Sequence, residues 1–117
     1  MSWEPITRAK LEALLAEELT SLDREAQAVY ERYRVEPEII YRVFSRNPAA
    51  PVPSFVIARD GAQVLFYDDI EEEWGTAEVA PDGRVYDWGT WSDLLRRALH
   101  NFPVPEALRT RNDRPSV

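Results

Sequence analysis

Apolar residues recur at helical spacing over the first third of the chain, in two successive stripes. The first stripe comprises Leu11, Leu14, Leu15, Leu19 and Leu22, and the second comprises Ala26, Val29, Tyr30 and Tyr33. Thr7 is suited to cap the first helix, and Thr20 with Asp23 has the spacing of a capping box ahead of the second. This start signal favours two helices over one long helix kinked near Thr20, and Pro37 is expected to end the second.

The apolar period then changes from that of a helix to that of a strand. Residues 38–46 are rich in β-branched and aromatic side chains, which predicts a strand. Residues 47–53 contain three prolines. Because proline has no N–H to donate, this stretch predicts a stiff linker that takes no part in a strand ladder.

The dipeptide Asp60-Gly61 lies between two apolar runs, residues 54–59 and 62–67. This arrangement predicts a β-hairpin with a two-residue type I′ turn that is closed by Arg59 and Ala62. The expected facing pairs are Ile57 with Val64, Phe55 with Phe66, and Val56 with Leu65. Both faces of this hairpin are apolar, so its strands are expected to be central and covered on both sides.

A second hairpin is predicted where residues 76–80 and 84–88 flank Pro81-Asp82-Gly83. Thr90 with Asp93 then forms another capping box, which predicts a final helix that ends at Pro103. The apolar face of this helix comprises Trp91, Leu94, Leu95, Ala98, Leu99 and Phe102. Trp88 and Trp91 are expected to close the core around it.

These elements together predict an α+β domain. It should contain two N-terminal helices, an antiparallel meander of about five strands and one C-terminal helix. Residues 1–103 are expected to form this single domain, and residues 104–117 a partly ordered tail.

The distribution of charge is more informative than its total. The chain carries a formal net charge of −7, from 21 acidic and 14 basic side chains. Residues 60–83 contain eight acids and no base, so the rest of the chain is close to neutral. A segment of this kind attracts a basic protein or a cation and disfavours nucleic acid, whose phosphates require lysine and arginine.

The residue inventory narrows the possible chemistry. The chain has no cysteine and a single histidine, His100, which argues against disulfides, thiolate nucleophiles and zinc sites. Ser92 and His100 are eight residues apart on the predicted last helix, about 12 Å along its axis, which is too far for a catalytic pair. We therefore expect no enzyme activity and no cofactor. The sequence shows neither a signal peptide nor a long apolar run, which predicts a cytoplasmic protein with no membrane partner.

The acidic segment contains the candidate binding site. It mixes carboxylates with large apolar side chains, as docking surfaces for basic proteins do, and its residues are Tyr67, Asp68, Asp69, Ile70, Glu71, Glu72, Glu73 and Trp74. In the alternative interpretation, Ile70 and Trp74 pack into the core and the acids only solubilise the surface.

Two other functions remain open from the sequence. The carboxylates could bind a metal or a small molecule, or perform acid–base catalysis. The chain could also self-associate through an exposed strand edge, for which residues 38–46 are the candidate, and form a homodimer.

Part of the chain also resembles known proteins. Residues 56–61 (VIARDG), the acidic run 66–74 and the upstream stretch 30–37 resemble a group of small bacterial proteins that share a V-x-A-R-x-G hairpin followed by acids. The resemblance spans residues 19–99 and implies a shared fold, but no activity or site. In size, acidity and layout the chain is also similar to immunity proteins of bacterial toxin systems, which would imply a toxin as the basic partner.

Overall fold

The computed structural model describes residues 4–44, 47–86 and 90–103. Two helices come first and a third comes last; they are α1 (Arg8–Leu19), α2 (Arg24–Tyr33) and α3 (Leu95–His100). Between α2 and α3 lie six strands, which are β1 (Arg34–Phe44), β2 (Asn47–Asp60), β3 (Gln63–Asp68), β4 (Glu73–Glu78), β5 (Arg84–Tyr86) and β6 (Thr90–Ser92). The α+β class and the order of helices around the sheet are confirmed. The predicted tail, 104–117, and Trp88 lie outside the described residues.

The strands form one curled sheet in the order β5-β1-β2-β3-β4-β6. Strands β1 to β4 make an antiparallel meander, whereas β5 pairs in parallel with β1 and β6 pairs antiparallel with β4. Because only five residues separate β4 from β5, the sheet must curl to bring β5 to its far edge. Tyr41 and Arg42 of β1 are paired on both sides, so the prediction that residues 38–46 form an exposed edge is wrong there.

Each face of the sheet has its own apolar core. The helices cover one face, where Leu11, Leu15 and Leu99 pack against Ile57 and other sheet residues. On the opposite face a second cluster forms inside the curl, and it comprises Ile40, Val56, Val64, Phe66, Ala77 and Val85. The prediction that the central hairpin is covered on both faces is therefore confirmed.

The two N-terminal helices are confirmed, but one of their caps differs from the prediction. The Thr7 hydroxyl accepts a hydrogen bond from the Lys10 N–H at the start of α1, as expected. Thr20 instead ends α1 and donates its hydroxyl hydrogen to the Glu17 carbonyl. The side chain of Asp23 caps α2 by accepting from the Ala26 N–H at 2.8 Å. Thr20 is thus used by the preceding helix, and the carboxylate provides the second N-cap.

Proline has less effect on these strands than the sequence predicts. α2 ends at Tyr33, and Pro37 lies within β1, where the pairing with β2 shifts register between Arg34 and Glu38. Residues 47–53 are part of β2 rather than a linker. Over this stretch β2 pairs with β1 alone, because its pairing with β3 begins at Phe55. Prolines are tolerated there since one side of the strand has no ladder to interrupt.

The first hairpin forms, but its predicted register is wrong. Asp60 pairs with Gln63, so Gly61 and Ala62 are the turn residues. Only Gly61 of these two has a positive φ, +60°, which fits a type II′ turn. A bulge follows, because Val56 pairs with Phe66 while Ala58 pairs with Leu65. The displaced turn shifts every expected facing pair, and this extra residue in β2 changes the offset again for Val56 and Phe55.

The predicted second hairpin is only a turn. The Gly83 N–H donates to the Ala80 carbonyl and Gly83 has a φ of +84°, as the turn requires. β5 then pairs with β1 rather than β4, because both sides of β4 are occupied by β3 and β6.

The predicted capping box at Thr90 is also wrong, since Thr90–Ser92 is strand β6. The side chain of Glu18 in α1 accepts from the Leu95 N–H and satisfies the start of α3 instead. Trp91, expected in the core, is 43% exposed.

Candidate functional site

The predicted acidic segment forms the β3–β4 connection. Asp68 ends β3 and pairs with Glu73, the first residue of β4. Residues 69–72 make the turn between them, in which Glu72 adopts the left-handed conformation, with a φ of +58°. The carboxylates are therefore concentrated at one end of two central strands.

Part of this segment is buried and unavailable as a surface. Tyr67 and Trp74 lie opposite each other on the helix-covered face, with ring centroids 4.9 Å apart. Trp74 is only 2% exposed, so it packs in the core as the alternative interpretation expects. Burial is the main cause of a raised pKa of the Tyr67 hydroxyl, and the nearby negative charges of Glu72, Asp69 and Asp68 raise this pKa further.

Asp68 organises the turn from inside. It is 4% exposed, and its Oδ1 accepts from the Ile70 N–H at 3.0 Å and the Glu71 N–H at 3.3 Å. The same oxygen receives the Arg42 Nη2–H at 3.0 Å. One buried carboxylate thereby fixes the backbone of the turn and joins it to β1.

Arg42 is the buried cation of the site, with 2% exposure. Its Nε donates to the Ser54 hydroxyl at 2.9 Å, and its Nη2 donates to Asp68. Its Cζ lies 5.1 Å from the ring centroids of Phe44 and Phe66, and 5.5 Å from that of Trp91, within cation–π range. Its Nη1 is buried and has no hydrogen-bond partner among the described residues.

Asp69 faces a different part of the molecule. Its Oδ2 accepts from the Ile6 N–H at 2.6 Å, which ties the segment before α1 to the β3–β4 turn. Its Oδ1 is buried and has no partner in the described part of the chain. Asp69 lines a smaller, mainly apolar pocket beside Ile39 and Tyr41.

A cavity of about 440 Å³ adjoins the turn. Its lining residues are Arg42, Phe44, Asn47, Ala50, Val52, Asp68, Ile70, Glu71, Glu73 and Trp91. Arg42 and Asp68, the most buried of these, form the floor. Ile70 and Trp91, each 43% exposed, belong to the rim together with Glu71. We call this the Arg42 cavity.

A glycine allows Trp91 to form one wall of the Arg42 cavity. Trp91 lies opposite Gly75 in the β4–β6 ladder and meets the Phe66 ring edge to face, with centroids 5.6 Å apart. A Cβ at position 75 would lie 2.7 Å from Cζ3 of Trp91 and 2.8 Å from Cζ of Phe66. Any side chain larger than hydrogen would therefore displace the indole.

The rim carries negative charge that no ion pair among the described residues neutralises. Within residues 4–44, 47–86 and 90–103, Glu71, Glu72 and Glu73 form no ion pair. In the same ranges, no three acidic or histidine side chains converge as metal ligands do. The arrangement thus provides an acidic rim around a buried arginine–aspartate pair.

Sequence reasoning missed Arg42, Ser54 and the position of Trp91. A signal for Arg42 was present, because Ile40, Arg42 and Phe44 share one face of a strand by their spacing. A charge on an apolar face requires a buried partner. No comparable signal identified Asp68 as that partner, because it stands in a run of acids.

Comparisons with protein families, with curated proteins and with solved structures found no match to this chain. The resemblance to small bacterial proteins, and to immunity proteins, therefore stays a prediction. None of the described helices has the length and apolar character required to cross a membrane.

Proposed function

We propose that this chain is a non-enzymatic protein-binding domain that presents its acidic β3–β4 turn to a basic protein partner. An immunity protein that neutralises a bacterial toxin is the specific form of this proposal, and it draws on the resemblance in size, charge and layout. The exposed members of the predicted segment, Ile70, Glu71 and Glu72, and half-buried Glu73 are the contact residues.

One observation carries the proposal. Four large apolar side chains are exposed among the described residues, and two of them, Ile70 and Trp91, line the Arg42 cavity. Glu71 and Glu73 line the same cavity. Apolar anchors beside uncompensated charge are the composition of a binding hot spot, in which desolvated anchors supply affinity and charges accelerate association.

The turn is held rigid before any partner binds. The two backbone N–H groups bound by Asp68 fix the direction in which Ile70 and Glu71 project. Because Asp68 is itself bound to Arg42, this geometry depends on the sheet rather than on the loop alone. A preformed surface loses less conformational entropy on binding than a flexible one.

Capture at low ionic strength tests the proposal with matched variants. The test variant, Glu71→Gln with Glu73→Gln, removes two cavity carboxylates. The control variant, Glu17→Gln with Glu31→Gln, removes the same charge from exposed helix positions. We expect a basic protein to be retained by the wild type and the control, and lost by the test variant. Equal recovery by all three chains, or recovery of no basic protein, would contradict the proposal.

A small organic ligand is a second candidate for the same site. The Arg42 cavity has a volume typical of ligand pockets. Its lining combines apolar side chains with a few charged ones, as ligand pockets do. A ligand-induced rise in unfolding temperature that Trp91→Ala abolishes would favour this function over protein docking.

A further inference from the structure

The charged residues that line the Arg42 cavity do not balance one another. They are one cation, Arg42, and three carboxylates, Asp68, Glu71 and Glu73. Arg42 and Asp68 are paired at 3.0 Å with both side chains buried, so each neutralises the other. Glu71 and Glu73 form no ion pair within residues 4–44, 47–86 and 90–103. Two carboxylates of the lining are thus uncompensated, and the cavity attracts a cation and repels an anion.

The apolar part of the lining determines which kind of cation fits. Trp91 and Ile70 are each 43% exposed, and they line the cavity together with Phe44 and Val52. A metal ion gains nothing from such a surface, and no three metal-ligating side chains converge in the described part of the chain. The volume of about 440 Å³ accommodates a long side chain, whose methylene groups can cover apolar surface. The cavity therefore suits an organic cation on an apolar stem.

We propose that the partner inserts the side chain of one arginine into the Arg42 cavity as the anchor of the complex. Its guanidinium group lies against the indole of Trp91 and donates hydrogen bonds to Glu71 and Glu73. Its methylene groups pack on Ile70. This inference rests on the proposed docking of a basic protein at the same turn, and it names the residue type that enters the cavity.

The aromatic wall favours arginine over lysine. A guanidinium group is planar, so its face can stack on an indole while its N–H groups donate to carboxylates in its plane. An ammonium group is a more strongly hydrated point charge, and it loses more hydration on entering a partly apolar cavity. The protein already uses this kind of contact, since Cζ of Arg42 lies 5.5 Å from the Trp91 ring centroid and 5.1 Å from that of Phe66. Trp91 is still 43% exposed, which leaves surface for a second cation.

Arg42 itself opposes an incoming cation only weakly. It is 2% exposed, and its charge is neutralised by Asp68. A neutral ion pair acts on its surroundings as a dipole, whose effect falls off faster with distance than that of a net charge. Glu71 is exposed and Glu73 is half-buried, so the two uncompensated carboxylates are more accessible to the partner than the pair at the floor.

NMR titration of the full ¹⁵N-labelled chain with short peptides tests the proposal. The probe is acetyl-Gly-Arg-Gly-amide, and the controls replace its arginine with lysine or with citrulline, which has the same shape but no charge. The readouts are the Trp91 indole N–H and the backbone N–H groups of Ile70 and Glu71, with the buried Trp74 indole as an internal control. We expect the arginine peptide to shift the three cavity signals but not that of Trp74. It should bind at least about fivefold more tightly than the citrulline peptide.

The other outcomes separate this inference from the proposed function. Equal binding of the arginine and citrulline peptides would overturn the cationic anchor, and equal binding of the arginine and lysine peptides would contradict the choice of arginine. Absence of a Trp91 shift with millimolar arginine peptide would overturn insertion, even if a basic protein is captured through Glu71 and Glu73. Recovery of no basic protein, together with a Trp91 shift by the arginine peptide, would contradict the proposed function alone.

Substitutions at the rim distinguish insertion from general charge attraction. Glu73 lines the cavity, whereas Glu72 in the same turn does not. We expect Glu73→Gln to weaken binding of the arginine peptide more than Glu72→Gln does. Trp91→Leu, followed at the Ile70 N–H, should reduce the preference for arginine over lysine. An equal effect of the two glutamate changes would contradict insertion.

Discussion

Arg42 links the stability of the sheet to the shape of the candidate site. It joins β1 to the end of β3 through Asp68, to β2 through Ser54, and to the aromatic wall through its contacts with Phe44, Phe66 and Trp91. A buried ion pair of this kind depends on both partners, because either one alone would be an uncompensated buried charge. The binding turn and the core are thus connected by one side chain.

Replacing Arg42 should therefore be costly. We expect Arg42→Met to lower the free energy of unfolding by about 3–5 kcal/mol, since Asp68 would lose its buried cation. Arg97→Met is the control, because the Arg97–Asp93 pair is exposed and contributes about 1 kcal/mol or less. Urea unfolding compares the two, and similar small losses would show that the Arg42–Asp68 pair is not structural.

At the scale of single residues, the sequence shows which side chains of the turn are charged but not which of them are buried. Asp68 and Glu71 have the same charge and lie three residues apart, yet only Asp68 faces inward. The difference depends on Arg42, 26 residues earlier in the chain. Tyr67 and Trp74 could not be assigned to the core from the sequence, because aromatic residues beside acids suit both a core and a docking surface.

Strand β6 places Trp91 at the site, and its pairing with β4 depends on a missing side chain. Gly75 and Trp91 are directly opposite, and the indole occupies the space of a Cβ. The hydroxyl groups of Thr76 and Thr90 hydrogen-bond to each other in the next pair along this ladder. The short edge strand is thus held by side chains as well as by its backbone.

Gly75→Ala tests this packing. We expect it to destabilise the fold by about 1–3 kcal/mol, as overpacked sites do, and to change the near-UV circular dichroism of the tryptophans. Trp91→Ala removes two of the three atoms that the new methyl group would meet, so the loss should be smaller in that background. An equal loss in both backgrounds would contradict the packing of Trp91 on Gly75.

The helices are joined by a pH-sensitive contact. His100 at the end of α3 binds the Asp23 side chain, the N-cap of α2, with Nε2 2.8 Å from Oδ2. This hydrogen bond, with the charges of Asp23 and Glu25, raises the pKa of His100 above 6.5. The folded protein therefore holds the proton more tightly than the unfolded chain does.

The sign of the pH dependence follows from that shift. The contribution of His100 to stability is full below pH 6.5 and is lost as the pH rises through the folded pKa. We expect the difference in unfolding free energy between the wild type and His100→Gln to shrink over this range in denaturant titrations. A difference that stays constant or grows with pH would contradict the contact.

At the scale of the whole molecule, local sequence patterns predicted the helices and most strands, but they did not predict which strands pair with each other. The helices and the Asp60-Gly61 hairpin depend on neighbouring residues, which the sequence displays directly. The pairing of β5 with β1 does not, because it depends on the curl of the sheet and on both sides of β4 being occupied. The Arg42 cavity forms between these distant segments, so its presence could not be predicted.

The pairing of β6 with β4 places Trp91 beside the acidic β3–β4 turn, and this combined surface is where we expect the partner to dock. The most direct test is the association rate constant of the captured basic partner, measured over a range of ionic strength. For the wild type it should fall steeply as salt increases, and Glu71→Gln with Glu73→Gln should lower it and flatten that dependence. The same rate and the same salt dependence in both proteins would contradict docking at this turn.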